Sequence, residues 1–160
     1  MDYFFKPITE STAREILLWK YEPPYDIYNL NAEDVEAELA WYLNPENHFH
    51  SIYNKNQELV GVCSFGEDGR VKGGDYSREA IDIGAGLRPN LTGQGNGAGF
   101  LEAILLFTKE KFPDQTLRAT VASFNQRCIT VCERSGFRQT QEFVRDSNPP
   151  EVFKVFVIEA

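Results

Sequence analysis

The sequence predicts one α/β domain spanning residues 1–160, with a mixed sheet of about seven strands and about four helices. Three observations predict it: the chain's length, the strand–helix alternation of its second half, and a glycine-rich turn between a strand and an apolar helix. At 160 residues the chain has the size of one domain, since domains run about 100–200 residues. That length buries a core without disulfide or metal staples. With 42% apolar and 25% charged residues, the composition is not that of a disordered chain.

The alternation in Asp2-Tyr3-Phe4-Phe5-Lys6 predicts a short first strand. Thr9, Ser11 and Thr12 offer capping oxygens for a helix carrying Ala13, Ile16, Leu17 and Trp19. Pro23 and Pro24 break it, because proline lacks the amide donor and collides with the preceding turn. Asn31 is the expected cap of a second helix through Asp34, Val35, Leu39 and Tyr42, which ends near Pro45. Residues 49–53 and 58–65 read as two strands joined across Asn54-Lys55-Asn56-Gln57 in a hairpin. The polar, glycine-rich stretch 67–78 is a loop, and 80–87 is a further strand stopped by Pro89. Beyond it come a helix over about 96–111, a strand over 117–122, a helix over 125–135, and strands over 136–145 and 152–158. A strand–helix–strand unit favours a parallel pair, and Asn148-Pro149-Pro150 suits a hairpin between the last two strands.

Sixteen Lys and Arg against 24 Asp and Glu give a net charge of −8. Such a surface repels a phosphate backbone, so nucleic acid is not an expected partner; a cationic small molecule or a basic peptide suits it better. No stretch approaches the ~20 consecutive apolar residues of a membrane span. The opening MDYFFKPITE lacks a basic segment followed by an apolar run, so no signal peptide is expected. Cys63, Cys128 and Cys132 are an odd number without disulfide-framework spacing, and Cys128 with Cys132 falls short of a zinc ligand set. The expectation is a cytoplasmic protein with reduced thiols and no metal. His48 and His50 are expected at a surface or sheet edge.

The segment from Leu87 to Leu101 carries the most chemistry. Gly93, Gly95, Gly97 and Gly99 lie at alternate positions ahead of an apolar helix. Glycine permits positive φ and close backbone approach, so successive amides can converge on an anion, and the helix N-terminus adds its own free N–H groups. The turn therefore predicts a phosphate or pyrophosphate site. No Lys-Ser or Lys-Thr closes it, which excludes a Walker-type loop. Gly93-x-Gly95-x-x-Ala98 matches a dinucleotide fingerprint formally. The acidic residue that fingerprint needs at the end of the next strand is absent, since that strand reads Leu117 to Ser123 and Asp114 precedes it.

Leu87-x-Pro89-x-x-Thr92-Gly93-Gln94-Gly95-x-Gly97 is similar to the V-x-P-x-x-R-G-x-G-x-G of the GNAT superfamily of acetyl-CoA-dependent N-acetyltransferases. About 30 residues later, Asn125 to Val131 looks like that family's N-x-x-A-I-x-L and runs into Cys132-Glu133-Arg134-Ser135-Gly136-Phe137, similar to Y-E-K-x-G-F. The motifs cover the C-terminal half, whereas the first 80 residues match only in element order and length. The resemblance implies a single-domain GNAT-like fold whose central strands splay apart, with acetyl-CoA in the gap as co-substrate. It implies that the backbone of Ala85, Gly86 and Leu87 pairs with the pantetheine. Gly93, Gln94, Gly95, Asn96, Gly97 and Ala98 would cradle the pyrophosphate through amides, and Asn125 would hydrogen-bond the cofactor.

The sequence departs from that pattern twice. Thr92 stands where the family has Arg or Gln, so the turn loses a side chain for phosphate. Cys132 stands where the family has its tyrosine general acid; it is either a thiol acid or buried packing. Ile81-Asp82-Ile83-Gly84 resembles the E-I-G of the branch that acetylates ribosomal proteins, which makes Asp82 the candidate base, directly or through water. Glu22 and Asp26, among the aromatics Trp19, Tyr21, Tyr25 and Tyr28, are lesser candidates beside an acceptor amine.

The expected reaction is direct attack of a small-molecule or peptide amine on acetyl-CoA in a ternary complex, with the Leu87 N–H stabilising the oxyanion. A non-catalytic acyl-CoA-binding or sensor module is the first alternative and a nucleotide-dependent oxidoreductase the second. The sheet's exposed last strand could pair two chains as a homodimer.

Overall fold

The computed structural model describes residues 2–29 and 34–160. Seven strands form one sheet: β1 (Phe4–Pro7), β2 (His50–Tyr53), β3 (Leu59–Phe65), β4 (Ile81–Leu87), β5 (Leu117–Ala122), β6 (Arg138–Arg145) and β7 (Glu151–Ile158), in the order β1-β2-β3-β4-β5-β7-β6. Among the described residues four α-helices accompany it: α1 (Glu10–Leu17), α2 (Val35–Leu43), α3 (Gly97–Lys111) and α4 (Gln126–Arg134). All neighbouring pairs are antiparallel except β4 with β5, which α3 connects as a parallel crossover. No described helix is long and apolar enough to cross a membrane.

Local chemistry fixes the helix starts. Thr9 and Thr12 form a reciprocal capping box at α1, the Thr9 hydroxyl accepting from the Thr12 N–H and the Thr12 hydroxyl from the Thr9 N–H. The Asp34 carboxylate accepts from the Ala37 N–H at 3.0 Å and caps α2. The expected cap Asn31 lies outside the described residues. Asn125 Oδ1 accepts from the Cys128 N–H at 3.2 Å and starts α4.

Two apolar cores lie on alternate sides of the sheet, as strand period dictates. On one side Phe100, Ile104 and Leu105 of α3 and Ile129 and Cys132 of α4 pack on Val60, Ile83, Val121 and Phe156. On the other, Ala13, Ile16 and Leu17 of α1 and Leu39 and Tyr42 of α2 pack with Phe49 and Leu59. His50 departs from the expected exposed placement: it is buried, edge-on to Phe107 at 5.0 Å, with Nδ1 2.8 Å from the His48 carbonyl. β7 lies between β5 and β6, and the free edges belong to β1 and β6.

The β4–β5 pairing positions the candidate site. The two strands register only at Ile81↔Leu117 and Asp82↔Arg118. β4 stays paired with β3 through Leu87, and β5 with β7 through Ala122. The sheet therefore opens into a V whose vertex is Asp82 and Arg118.

Candidate active site

The backbone of β4 determines what the gap can bind. The Gly66 N–H donates to the Asp82 carbonyl and the Arg88 N–H to the Val60 carbonyl, so Asp82, Gly84 and Gly86 aim their backbone groups at β3. The Ile81 N–H donates to the Thr116 carbonyl on the other side. By alternation, Ala85 and Leu87 direct their N–H and C=O groups into the gap. Of the three residues expected to pair with pantetheine, Ala85 and Leu87 face the gap and Gly86 faces β3.

At the vertex a charge pair holds the strands. Asp82 is 1% exposed and Arg118 3%. Arg118 donates from Nε to Asp82 Oδ1 at 2.6 Å and from Nη2 to Oδ2 at 2.8 Å, and Nη1 reaches the Arg78 carbonyl at 2.8 Å. Arg70 Nε adds a third donor to Asp82 Oδ2 at 2.8 Å. The guanidiniums of Arg118 and Arg70 also lie 4.9 and 5.6 Å from the Tyr76 ring centroid. Both oxygens of Asp82 are thus taken up by guanidinium donors, an arrangement that suits an anchor better than a base. A single charge in each of two apolar strands, one acidic and one basic, was the signal for this pair.

Two glycines follow Asp82 on the α1–α2 face of β4, and neighbouring side chains approach the space their missing Cβ atoms leave. A Cβ at Gly84 would meet Ser64 Oγ at 2.4 Å and Asp68 Oδ2 at 3.2 Å. One at Gly86 would lie 3.5 Å from the Tyr21 hydroxyl. Asp68 comes from the loop after β3, is exposed to solvent, and accepts from Trp41 Nε1 at 2.7 Å and Ser64 Oγ at 3.2 Å. With Glu38, Trp41, Glu67 and Arg70 it lines an open cleft of about 460 Å³. Asp68 has no motif around it, and only the fold brings it to β4.

The segment between α1 and α2 spans the two arms of the V. The Tyr21 hydroxyl donates to the Leu87 carbonyl at 2.8 Å on the β4 arm, and burial pushes its pKa up to about 12, which keeps it a donor. Asn125 Nδ2 donates to the Tyr28 hydroxyl at 3.2 Å on the β5 arm. Between them the Tyr25 ring meets Phe124 edge-on at 5.5 Å. Glu22 lines a second cleft here, of about 440 Å³, with Lys20, Tyr21, Tyr25, Thr92 and Arg127; Asp26 lies in the short helical turn Tyr25–Tyr28.

The glycine-rich turn has the conformation its sequence demands. Gly93 and Gly95 have φ of +72° and +81°, values a side chain resists, and no atom lies within 4 Å of a Cβ built at Gly95. The polar side chains bond inward: Thr92 Oγ1 to the Pro89 carbonyl at 2.7 Å, Gln94 Nε2 to the Asn90 carbonyl at 2.7 Å, and Asn96 Nδ2 to the Leu91 carbonyl at 3.1 Å. With those side chains engaged, the backbone of residues 93–98 is what the turn has left to offer an anion. Glycines of positive φ and an unpaired strand edge fit a phosphate-bearing, amide-containing chain such as CoA.

Asn125 spends its side chain on capping α4 and on Tyr28. Cys132 is 1% exposed, inside the α3–α4 core. The adjacent Cys128 thiol and burial push its pKa up. This geometry suits packing.

A family model described as acetyltransferase (GNAT) domain matches residues 4–138. Curated proteins yield no match. Among solved structures, a spermidine N-acetyltransferase SpeG chimera from Vibrio cholerae and hSSAT superposes with a TM-score of 0.72 at 14% identity, covering 99% of this chain and 96% of that one. YncA of Salmonella typhimurium, a putative acetyltransferase solved with acetyl-CoA, gives 0.69 at 18% identity over 98% and 93% of the two chains. A putative GNAT-family acetyltransferase from Bordetella pertussis gives 0.71 at 16% identity over 98% and 96%. With the family match spanning most of the chain and the sheet split between β4 and β5, the chain belongs to the GNAT acetyltransferase family.

Proposed function

We propose that the protein transfers the acetyl group of acetyl-CoA to a primary amine, and that the unpaired edge of β4 at Ala85 and Leu87 is the observation that carries this reading. Backbone groups left open on a strand inside a sheet call for a partner with alternating amides. The pantetheine arm has them, and the glycine turn lies just beyond the strand to take the phosphates. Acetyl-CoA supplies an activated acetyl thioester. The Leu87 N–H, aimed into the gap, donates to the thioester oxygen as negative charge builds there. Asn125 contributes to the cofactor site by fixing the start of α4.

The acceptor enters from the α1–α2 face, through the cleft lined by Glu38, Trp41, Glu67 and Asp68. Glu38, Glu67 and Asp68 give that entrance a negative field suited to a cationic amine, small molecule or peptide, and solved structures of similar fold include spermidine N-acetyltransferases. In this reading Asp68, directly or through water, takes the amine's proton as the N–C bond forms. Solvent protonates the departing thiolate, and Asp82 and Cys132 serve the scaffold.

The test is thiol release from acetyl-CoA with a panel of amines. Amine-dependent release is expected, and Asp68→Asn lowers kcat/KM for the amine by about 10²–10⁴-fold while acetyl-CoA affinity is kept. Tight acetyl-CoA binding without release for any amine supports the second reading, a non-catalytic acyl-CoA sensor, which the burial of Cys132 at the acid position favours.

A further inference from the structure

Resting on the reading that the glycine turn holds the phosphates of CoA, we propose that Arg127 is the cation of that phosphate site, reaching in from α4 to supply what Thr92 does not. Its guanidinium lies directly against the turn: a Cβ built at Gly93 would meet Arg127 Cζ and Nη1 at 3.1 Å and Nη2 at 3.3 Å. It is also held in place. The Tyr25 ring lies 4.8 Å from the guanidinium carbon, and Tyr25 is itself fixed edge-on against Phe124.

Among the described residues Arg127 forms no ion pair, in a chain with 24 carboxylates. The turn's own cation is occupied elsewhere: Arg88 donates from Nη1 to the Leu59 carbonyl at 2.9 Å and from Nε to Asn90 Oδ1 at 2.8 Å. The hydroxyl and amides of Thr92, Gln94 and Asn96 bond within the turn. Of the charged groups lining the adjoining cleft, Lys20 and Glu22 offset one another, and Arg127 is the surplus. A planar guanidinium beside converging amides matches the paired oxygens of a pyrophosphate.

The experiment is calorimetric titration of the full chain and of Arg127→Gln and Arg127→Lys with CoA and dephospho-CoA, at low and at high salt. Arg127→Gln is expected to weaken both ligands by about ten- to a hundredfold, with Arg127→Lys between it and the parent. Raising the salt should narrow the gap between parent and Arg127→Gln, because screening weakens a charge contact and leaves packing alone. A folded Arg127→Gln that binds CoA like the parent overturns the proposal, as does a loss that salt does not reduce. Weakening of CoA with dephospho-CoA unchanged moves the contact to the 3′-phosphate and overturns the pyrophosphate assignment. Should Arg127→Gln fail to fold, unaltered CoA binding by Arg127→Lys overturns it equally, since a lysine does not reproduce the fork. A parent chain that binds neither ligand would instead refute the acetyl-CoA reading itself.

Discussion

The two ends of β4 are built on opposite principles. At Ile81 and Asp82 the strand is closed on both sides, bonded to Gly66 just past β3, paired with β5 and clamped by the Asp82–Arg118 bridge. At Ala85 and Leu87, only a few residues on, one edge is open. The difference teaches how a sheet can hold a ligand in its middle. An unpaired backbone edge is costly unless something satisfies it, and a V in a sheet tends to close or spread. A bidentate, buried ion pair at the vertex fixes where pairing stops. The Tyr21 hydroxyl meanwhile satisfies the Leu87 carbonyl from outside the sheet.

If the vertex is the device that sets the opening, breaking it has the largest effect. Asp82→Ala leaves Arg118 buried and unpaired, and a loss of about 3–5 kcal/mol is expected in urea unfolding. The paired replacement Asp82→Leu with Arg118→Met should recover much of that, since two apolar groups strand no charge. A single mutant as stable as the parent would remove the clamp from the account.

Next in size is Gly61→Ala, on β3 beside the open end. Its Cβ would lie 2.5 Å from the Phe100 ring, and overpacking should cost about 1–3 kcal/mol in the same measurement. A neutral result would mean that α3 stands off the sheet.

Tyr21→Phe removes the donor to Leu87 and should cost about 0.5–1.5 kcal/mol. Because a bound pantetheine would replace that donor, the loss should shrink when unfolding is measured with saturating CoA. An equal loss with and without CoA would place the hydroxyl outside the cofactor's reach.

The smallest effect is one of pH. Burial holds the His50 imidazole below its ordinary pKa, with the Lys111 and His48 charges adding to it, and His48 is lowered by burial too. A depressed folded pKa means that the unfolded chain binds the proton first. The stability is present above about pH 6.5 and is lost as pH falls below it. Melting temperature should therefore drop from pH 7.5 to 5.5, less steeply in His50→Phe. Identical slopes would clear His50 of the effect.

The second half of the chain was legible almost to the residue. The strand expected over 117–122 is β5 as observed, and the helix expected over 96–111 begins one residue later. There local signals agree with the tertiary structure: apolar runs and a glycine turn. The parallel β4–β5 pair followed from the strand–helix–strand order. What stayed hidden depends on contacts between distant residues. Asp82 looks like a lone acid until Arg118 arrives 36 positions later, and Asp68 looks like loop polarity until the turn folds back on Gly84. His50 alternates like a surface residue, and only α3 covering it with Phe107 makes it core. The role of Thr92 was legible as a loss, whereas its counterpart Arg127 needed the packing of α4 against the turn.

The most direct measurement is residue-resolved amide hydrogen exchange on β4 with and without CoA. If the open edge receives the pantetheine, the Ala85 and Leu87 amides gain protection on adding CoA, while Gly84 and Gly86, already bonded to β3, do not change. Protection unchanged at Ala85 and Leu87 with CoA demonstrably bound would place the ligand elsewhere and contradict the account.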